Sequence, residues 1–265
     1  MKIKKAFSKF EVFLLDLDGV IWRGGDPIPG AVEVVNFLVD YEKEVIFITN
    51  NTTLDRKTYK NKLFKIGIKA DKVKIVTSGY ATAVFLRQKY GLGTVFLIGE
   101  EGIRQELKDF KIVEDYEGWN PSIDYVVVSL DRNVHYWKIA KAAHAIRKGA
   151  LFVLTNPDNV LPIEEGVFIP GAGSIAAAVE VASSKKPDHI IGKPSPIIFK
   201  VALKNKDVQK TIMIGDRIDT DVLGASQIGL KTALVLTGVT TLKDVKNSPV
   251  KPNYILTSIR DLILY

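Results

Sequence analysis

The sequence predicts an α/β protein built on a mostly parallel, doubly wound sheet. Short apolar runs alternate with helix-periodic segments from end to end. The runs are continuously apolar, as strands covered on both faces are. Glycine follows several of the helical segments, where a left-handed residue stops a helix.

In chain order, the strands are expected at Glu11–Leu15, Val45–Thr49, Val95–Ile98, Tyr125–Leu130, Leu151–Leu154, Ile190–Ile191, Thr211–Ile214, Thr232–Leu236 and Tyr254–Leu256. Ala31–Glu42 carries Val34, Leu38 and Tyr41 at helical spacing and opens after Pro29-Gly30. Arg56–Ile66, Tyr80–Tyr90 and His135–Lys148 are the next helices, each followed directly by a glycine: Gly67, Gly91 and Gly149. A further helix is signalled at Ser195-Pro196, a capping residue followed by proline at the first helical position. The polar stretch Glu114–Ser122 reads as the longest loop.

Composition narrows the chemistry. The chain has 265 residues, 46% apolar and 25% charged, which excludes a disordered polymer and allows a substantial core. It has no cysteine, so thiolate zinc sites, iron–sulfur clusters, disulfides and cysteine nucleophiles are excluded. No run reaches the ~18 apolar residues of a membrane span. The opening MKIKKAFSKFEVFLL is basic then apolar, but Glu11, Asp16 and Asp18 interrupt it, so it reads as the lead into a strand and the protein as cytoplasmic. The formal charge of +7 comes from scattered lysines with few interleaved aromatics. That pattern favours a solvated surface or a small anionic substrate over nucleic acid.

Four polar motifs each follow an apolar run. Asp16-Leu17-Asp18-Gly19 places two carboxylates at a strand end, although Asp-Gly is also a common turn. Thr49-Asn50-Asn51-Thr52 offers a hydroxyl, amides and backbone N–H groups suited to an oxyanion, while Thr53 or Asp55 can simply cap a helix. Gly192-Lys193-Pro194-Ser195 supplies one cation, though it is one among 37 basic residues. Gly215-Asp216-Arg217-Ile218-Asp219-Thr220-Asp221 gathers three carboxylates at a helix start, as macrodipole complements or as metal ligands. In a doubly wound sheet all four strand ends meet at one edge. Together they make a site for a phosphoryl group with Mg²⁺, whose charge relieves the repulsion among the acids.

The order and spacing of these motifs resemble the haloacid dehalogenase-like (HAD) phosphatase superfamily. Thr155-Asn156-Pro157-Asp158, Pro170-Gly171-Ala172-Gly173-Ser174 and Gly192-Lys193-Pro194-Ser195 narrow the likeness to the NagD, 4-nitrophenylphosphatase and pyridoxal phosphate phosphatase branch. The resemblance covers roughly Phe13 to Ile259. It implies a Rossmann-like core, residues 1–79 and 188–265, with a smaller α/β cap inserted at 80–187. It implies Asp16 as nucleophile through an aspartyl-phosphate, and Asp18 as general acid and then base. By the same likeness, Asp16, the Asp18 carbonyl and Asp216 hold Mg²⁺, with Asp221 at the metal's edge and Asp219 a helix cap. Thr49, Asn50, Asn51 and Lys193 hold phosphate, and Asn156 and Asp158 contact substrate; Asn-Pro-Asp-Asn is equally a strong turn signal. The implied partner is a small phosphorylated metabolite: a sugar phosphate, nucleotide, phosphoglycolate, glycerol phosphate or pyridoxal phosphate, with activity on 4-nitrophenyl phosphate. Pairing of two copies through the cap near Tyr125–Leu130 is a further expectation.

Competing readings fare less well. Gly171-Ala172-Gly173-Ser174-Ile175-Ala176 matches a dinucleotide fingerprint, but Asp188 downstream precedes its strand and Pro170 crowds the turn, so close helix packing explains these glycines better. His135, His144 and His189 form no ligand pair at recognisable spacing. A phosphoacceptor receiver is shorter and places its acids differently. A non-catalytic phosphometabolite-binding protein on the same scaffold is the remaining alternative, disfavoured because Asp16 and Asp18 are both present.

Overall fold

In a computed structural model of the chain, residues 1–119, 122–164 and 167–264 are described. Asn120 and Pro121, within the polar stretch Glu114–Ser122, lie outside them. The chain divides into two compact units. The first comprises Met1–Thr49, Lys57–Val76 and Lys193–Tyr265, and the second Asn50–Arg56 and Thr77–Gly192.

The first unit is built on a six-stranded sheet. Edge to edge, its strands are Tyr254–Leu256, Lys231–Val235, Thr211–Gly215, Val12–Leu15, Glu44–Thr49 and Lys74–Thr77. The first five run parallel. Val12–Leu15 and Thr211–Gly215 are buried at every position, which is why their sequences are apolar without alternation. Numbered along the chain within this unit, the order is 3-2-1-4-5-6. Its topological switch falls between Val12–Leu15 and Thr211–Gly215, and ligands of open α/β sheets bind at the carboxyl ends of the strands at such a point.

The second unit has its own five-stranded parallel sheet: His189–Ile190, Leu151–Leu154, Tyr125–Val128, Thr94–Ile98 and Lys111–Val113. Phe96, Val126, Val128, Phe152 and Leu154 pack with Ala142, Ile146, Ile175 and Val179 from the helices Tyr136–Arg147 and Ala172–Ser183. An antiparallel hairpin, Val160–Glu164 with Val167–Pro170, precedes the second of these helices.

Helix ends follow the sequence signals. Gly67, Gly91 and Gly149 take φ of 94°, 91° and 109° just beyond their helices, a region open to glycine at little cost. Ser195 caps Pro196–Leu203, its hydroxyl accepting from the Ile197 N–H at 3.4 Å.

Two features depart from the sequence expectations. Tyr125–Leu130, expected near a contact between copies, forms a strand only over Tyr125–Val128. That strand is the central one of its sheet and is buried throughout, because hydrogen-bonded neighbours flank it on both sides. Asn50–Arg56, expected with the core, groups with the second unit. The Thr52 hydroxyl lies 2.6 Å from the Ser129 hydroxyl. Arg56 pairs with Glu106 at 3.0 Å and covers the Tyr80 ring at 3.5 Å. Gly102 packs on the Thr52–Leu54 backbone so closely that a Cβ would lie 2.3 Å from the Thr52 carbonyl oxygen.

Among the described residues, no helix is long and apolar enough to cross a membrane.

Phe152 is fully buried in the second unit's cluster. Phe152→Ala should destabilise the protein by about 3–5 kcal/mol, through lost transfer energy and the cavity left behind. Urea unfolding monitored by circular dichroism checks this; a loss under about 1 kcal/mol would place Phe152 outside the load of that core.

Candidate active site

At the switch point of the first unit, Asp16 and Asp216 directly follow the neighbouring strands Val12–Leu15 and Thr211–Gly215. The Asp16 N–H donates to the Ile214 carbonyl at 2.9 Å, extending the pairing by one residue and setting the two acids side by side. Asp221 joins them from a single π-helical turn, Ile218–Val222, ahead of the helix Leu223–Gln227. Such turns often occur at functional sites. Carboxylate oxygens of Asp16, Asp216 and Asp221 all lie within 4.8 Å of one another, and all three residues are buried. Asp219, two residues before Asp221, pairs with Arg217 at 2.8 Å; against the effect of burial, that partner together with hydrogen bonds from the Asp219 and Thr220 backbone holds its carboxyl below the ordinary range.

Lys193 enters this cluster. Its Nζ lies 2.8 Å from Asp16 Oδ1 and 2.7 Å from Asp221 Oδ1, and donates to the Ile48 carbonyl at 3.3 Å. Two further oxygens are held by backbone. Val239 N–H donates to Asp216 Oδ2 at 2.7 Å, and Arg217 N–H to Asp221 Oδ2 at 3.1 Å. Glycines make room: a Cβ on Gly215 would fall 2.2 Å from Asp221 Cγ, and one on Gly238 1.9 Å from Asp216 Oδ2.

Burial sets the electrostatics. Loss of hydration is the largest influence on Asp16 and pushes its carboxyl well above the ordinary range; Lys193 opposes this, and Asp221 and Asp216 add to it. Burial likewise raises Asp216 to about 6, with the Asp221 charge acting in the same direction. Loss of hydration disfavours the Lys193 ammonium, but Asp16 and Asp221 outweigh it and hold the amine charged, above the usual lysine value. Three carboxylates therefore face one ammonium. A hard divalent cation with oxygen ligands would bring the cluster to neutrality, and Asp16, Asp216 and Asp221 are the residues that fit it.

Asp18 is exposed, two residues beyond Asp16. Its Oδ1 accepts from the Trp22 indole N–H at 2.8 Å. Thr49, buried at the end of Glu44–Thr49, shares a hydrogen bond with the Tyr59 hydroxyl. Burial, with the Asp18 and Asp16 charges, raises the Tyr59 phenol far above its ordinary value, so it stays protonated. Trp22, Tyr59 and the Gly238-Val239 turn are site features that the motif reading missed. Gly238 follows another apolar strand, Lys231–Val235, and that was the available signal.

The other expected contact residues gather in the second unit. Asn50 Nδ2 donates to Asp158 Oδ2 at 3.0 Å, and Asn156 Nδ2 donates to the Asn50 carbonyl at 2.9 Å. Asn51 Oδ1 accepts from the Thr53 N–H and hydroxyl at 2.9 and 2.8 Å. The 171–173 glycines pack on this loop: Gly173 N–H donates to the Asp158 carbonyl at 2.9 Å, and a Cβ on Gly171 would sit 2.2 Å from that oxygen. Close packing accounts for the dinucleotide-like fingerprint.

Comparison with known proteins follows the same lines. Residues 13–113 match a family model described as haloacid dehalogenase-like hydrolase, and residues 190–262 one described as HAD-hydrolase-like. The chain is 37% identical over 258 residues to the acid sugar phosphatase of Staphylococcus haemolyticus, covering 96% of this chain and 95% of that protein. It is similar in structure to a 4-nitrophenylphosphatase from Thermotoga maritima, with a TM-score of 0.87, 34% identity and 96% of each chain covered. NagD from E. coli K-12 gives a TM-score of 0.85 at 31% identity, covering 96% of this chain and 98% of that one.

The raised Asp216 value fixes the sign of a linkage. A carboxyl harder to ionise folded than unfolded contributes stability that is complete below its unfolded value and lost as pH rises through about 6. A cation competing with that proton restores the loss only above that range. Mg²⁺ at about 100 times its Kd should add ~2.7 kcal/mol, several degrees of Tm, at pH 7.5 and clearly less at pH 5. Thermal melts in Mg²⁺ and in EDTA read this. An increment independent of pH, or one kept in Asp216→Asn, would exclude the cluster.

Proposed function

We propose, since the chain belongs to the haloacid dehalogenase-like hydrolases, that it is a Mg²⁺-dependent phosphatase of small phosphate monoesters, sugar phosphates foremost. The observation that carries this is the buried cluster of Asp16, Asp216 and Asp221 around the Lys193 ammonium at the switch point of the sheet. The relatives named acid sugar phosphatase and 4-nitrophenylphosphatase support the substrate class and the use of an aryl ester as a probe.

In this reading an Asp16 carboxylate oxygen attacks phosphorus in line. The Asp16–phosphorus bond forms as the bond to the leaving oxygen breaks, and Asp18 gives that oxygen its proton. Asp18 then takes a proton from water, whose oxygen attacks phosphorus; the Asp16 bond breaks and inorganic phosphate leaves. Lys193 holds Asp16 in place and offsets negative charge on the phosphoryl group. Thr49, with Asn50 and Asn51 next in the chain, binds the phosphoryl oxygens. Bound Mg²⁺ supplies charge neutralisation for the incoming phosphate among the acids. The second unit acts as the cap, which excludes bulk water and selects the leaving group through Asn156 and Asp158.

Hydrolysis of 4-nitrophenyl phosphate tests the chemistry. Activity should require Mg²⁺, stop with EDTA, and fall by about 10³-fold or more in Asp16→Asn with the circular dichroism unchanged. Full activity in that variant would overturn the assignment.

Asp158→Ala tests the substrate loop. Its kcat/KM for sugar phosphates should fall about tenfold, the worth of a hydrogen bond to a charged group, with 4-nitrophenyl phosphate little affected. Equal losses on both would instead assign Asp158 to holding Asn50.

A further inference from the structure

We propose that Trp22 is the positioning residue for the Asp18 carboxylate, acting through its indole N–H; this rests on the acid–base role given to Asp18 above. The geometry is specific. Asp18 is exposed, while Trp22, four residues on, is only 1% exposed, yet its single polar atom is aimed outward at Asp18 Oδ1, 2.8 Å away. The loop between them is closed by Gly19 N–H donating to the Trp22 carbonyl at 2.8 Å and by a backbone bridge between Asp18 and Trp22. Trp22 then enters a short antiparallel pair with Asp26–Pro27.

The ring itself is clamped. It lies parallel to Tyr59, 3° between planes at 6.4 Å, and Lys62 Nζ sits 3.8 Å from its centroid. A cation over the face of an indole draws density from the ring and strengthens its N–H as a donor. Tyr59 also shares a hydrogen bond with Thr49. One buried aromatic pair thus touches both the acid–base carboxylate and the hydroxyl at the neighbouring strand end.

An indole suits this task chemically. It donates one hydrogen bond and accepts none. It fixes Oδ1 and leaves Oδ2 for the proton delivered to the leaving oxygen. A carboxylate on an exposed loop would otherwise sample several rotamers, and proton transfer depends on orientation.

The test compares leaving groups. An alkoxide from a sugar or glycerol phosphate needs the proton from Asp18, whereas 4-nitrophenolate leaves without it. Single-turnover release of the alcohol or the nitrophenolate reports the first step alone. Trp22→Phe keeps the stacked ring and removes the N–H. It should slow alcohol release from glycerol phosphate about tenfold or more, nitrophenolate release by less than about threefold, and leave KM within about twofold. Replacing Trp22 by its isostere benzothienylalanine, which has sulfur in place of the N–H, should do the same where Phe perturbs folding. In an Asp18→Asn background either change should cost nothing further, since the amide has no proton to deliver and no acid is left to position. Equal slowing of both esters, or additive losses with Asp18→Asn, would make Trp22 a packing residue only and overturn the inference. Full alcohol release in Asp18→Asn itself would overturn the acid–base reading on which it rests.

Discussion

The Lys193 ammonium is the constraint on which the rest of the site depends. It is almost completely buried, and its three N–H donors reach Asp16, Asp221 and the Ile48 carbonyl. Burying an ion costs several kcal/mol even after relaxation, and only well-placed opposite charges offset it. Asp16 and Asp221 serve that purpose for Lys193, but Asp216 then leaves the cluster with excess negative charge. A core selected for stability alone would replace these four residues with apolar ones. Their retention at the one point where the strand order reverses makes sense for a site that must receive a cation and an anion together.

That placement follows from topology more than from any local motif. With strand order 3-2-1-4-5-6, the first and fourth strands are neighbours whose connections leave in opposite directions, opening a crevice at their carboxyl ends. Asp16 and Asp216 are the first residues beyond those strands. Small residues complete the arrangement: Gly215 and Gly238 allow Asp221 and Asp216 to approach backbone that a Cβ would displace. The long excursion between the third and fourth strands builds the second unit, which forms a parallel sheet of its own in the order 2-1-3-4-5. Each unit therefore buries its strands by the same device, and the chain can carry a large insertion without disturbing the central pair of the first sheet.

The sequence made the strands and the acidic motifs legible because both are local signals. An apolar run followed at once by Asp-x-Asp or Gly-Asp marks a buried strand and its exit in a few residues. Lys193 was legible only in company, because one lysine among 37 basic residues has no local mark of burial. What stayed hidden depends on pairing at a distance. Nothing within Tyr125–Val128 says that Leu151–Leu154 and Thr94–Ile98 flank it. The transfer of Asn50–Arg56 to the second unit rests on partners 50 and more residues away, Glu106 and Ser129. Trp22 carried no signal in the sequence, since a hydrogen bond from a buried ring to an exposed carboxylate leaves no periodic trace.

The division between the two units falls between Thr49 and Asn50. Thr49 ends a strand of the first unit, while Asn50, its neighbour in the chain, is bonded to Asn156 and Asp158 of the second. Amides that read as phosphate ligands are thereby built into the same body as the loop that reads as choosing the leaving group. Asn50, Asp158 and Asn156 share one hydrogen-bonded network, and Thr52 on Ser129 anchors the same segment. The charged cluster of Asp16, Lys193, Asp216 and Asp221 shares none of those bonds. A substitution in the cluster is felt by its neighbours at once, because Lys193 is made tolerable by Asp16 and Asp221 and they by it, while Asp216 stands as the charge in excess.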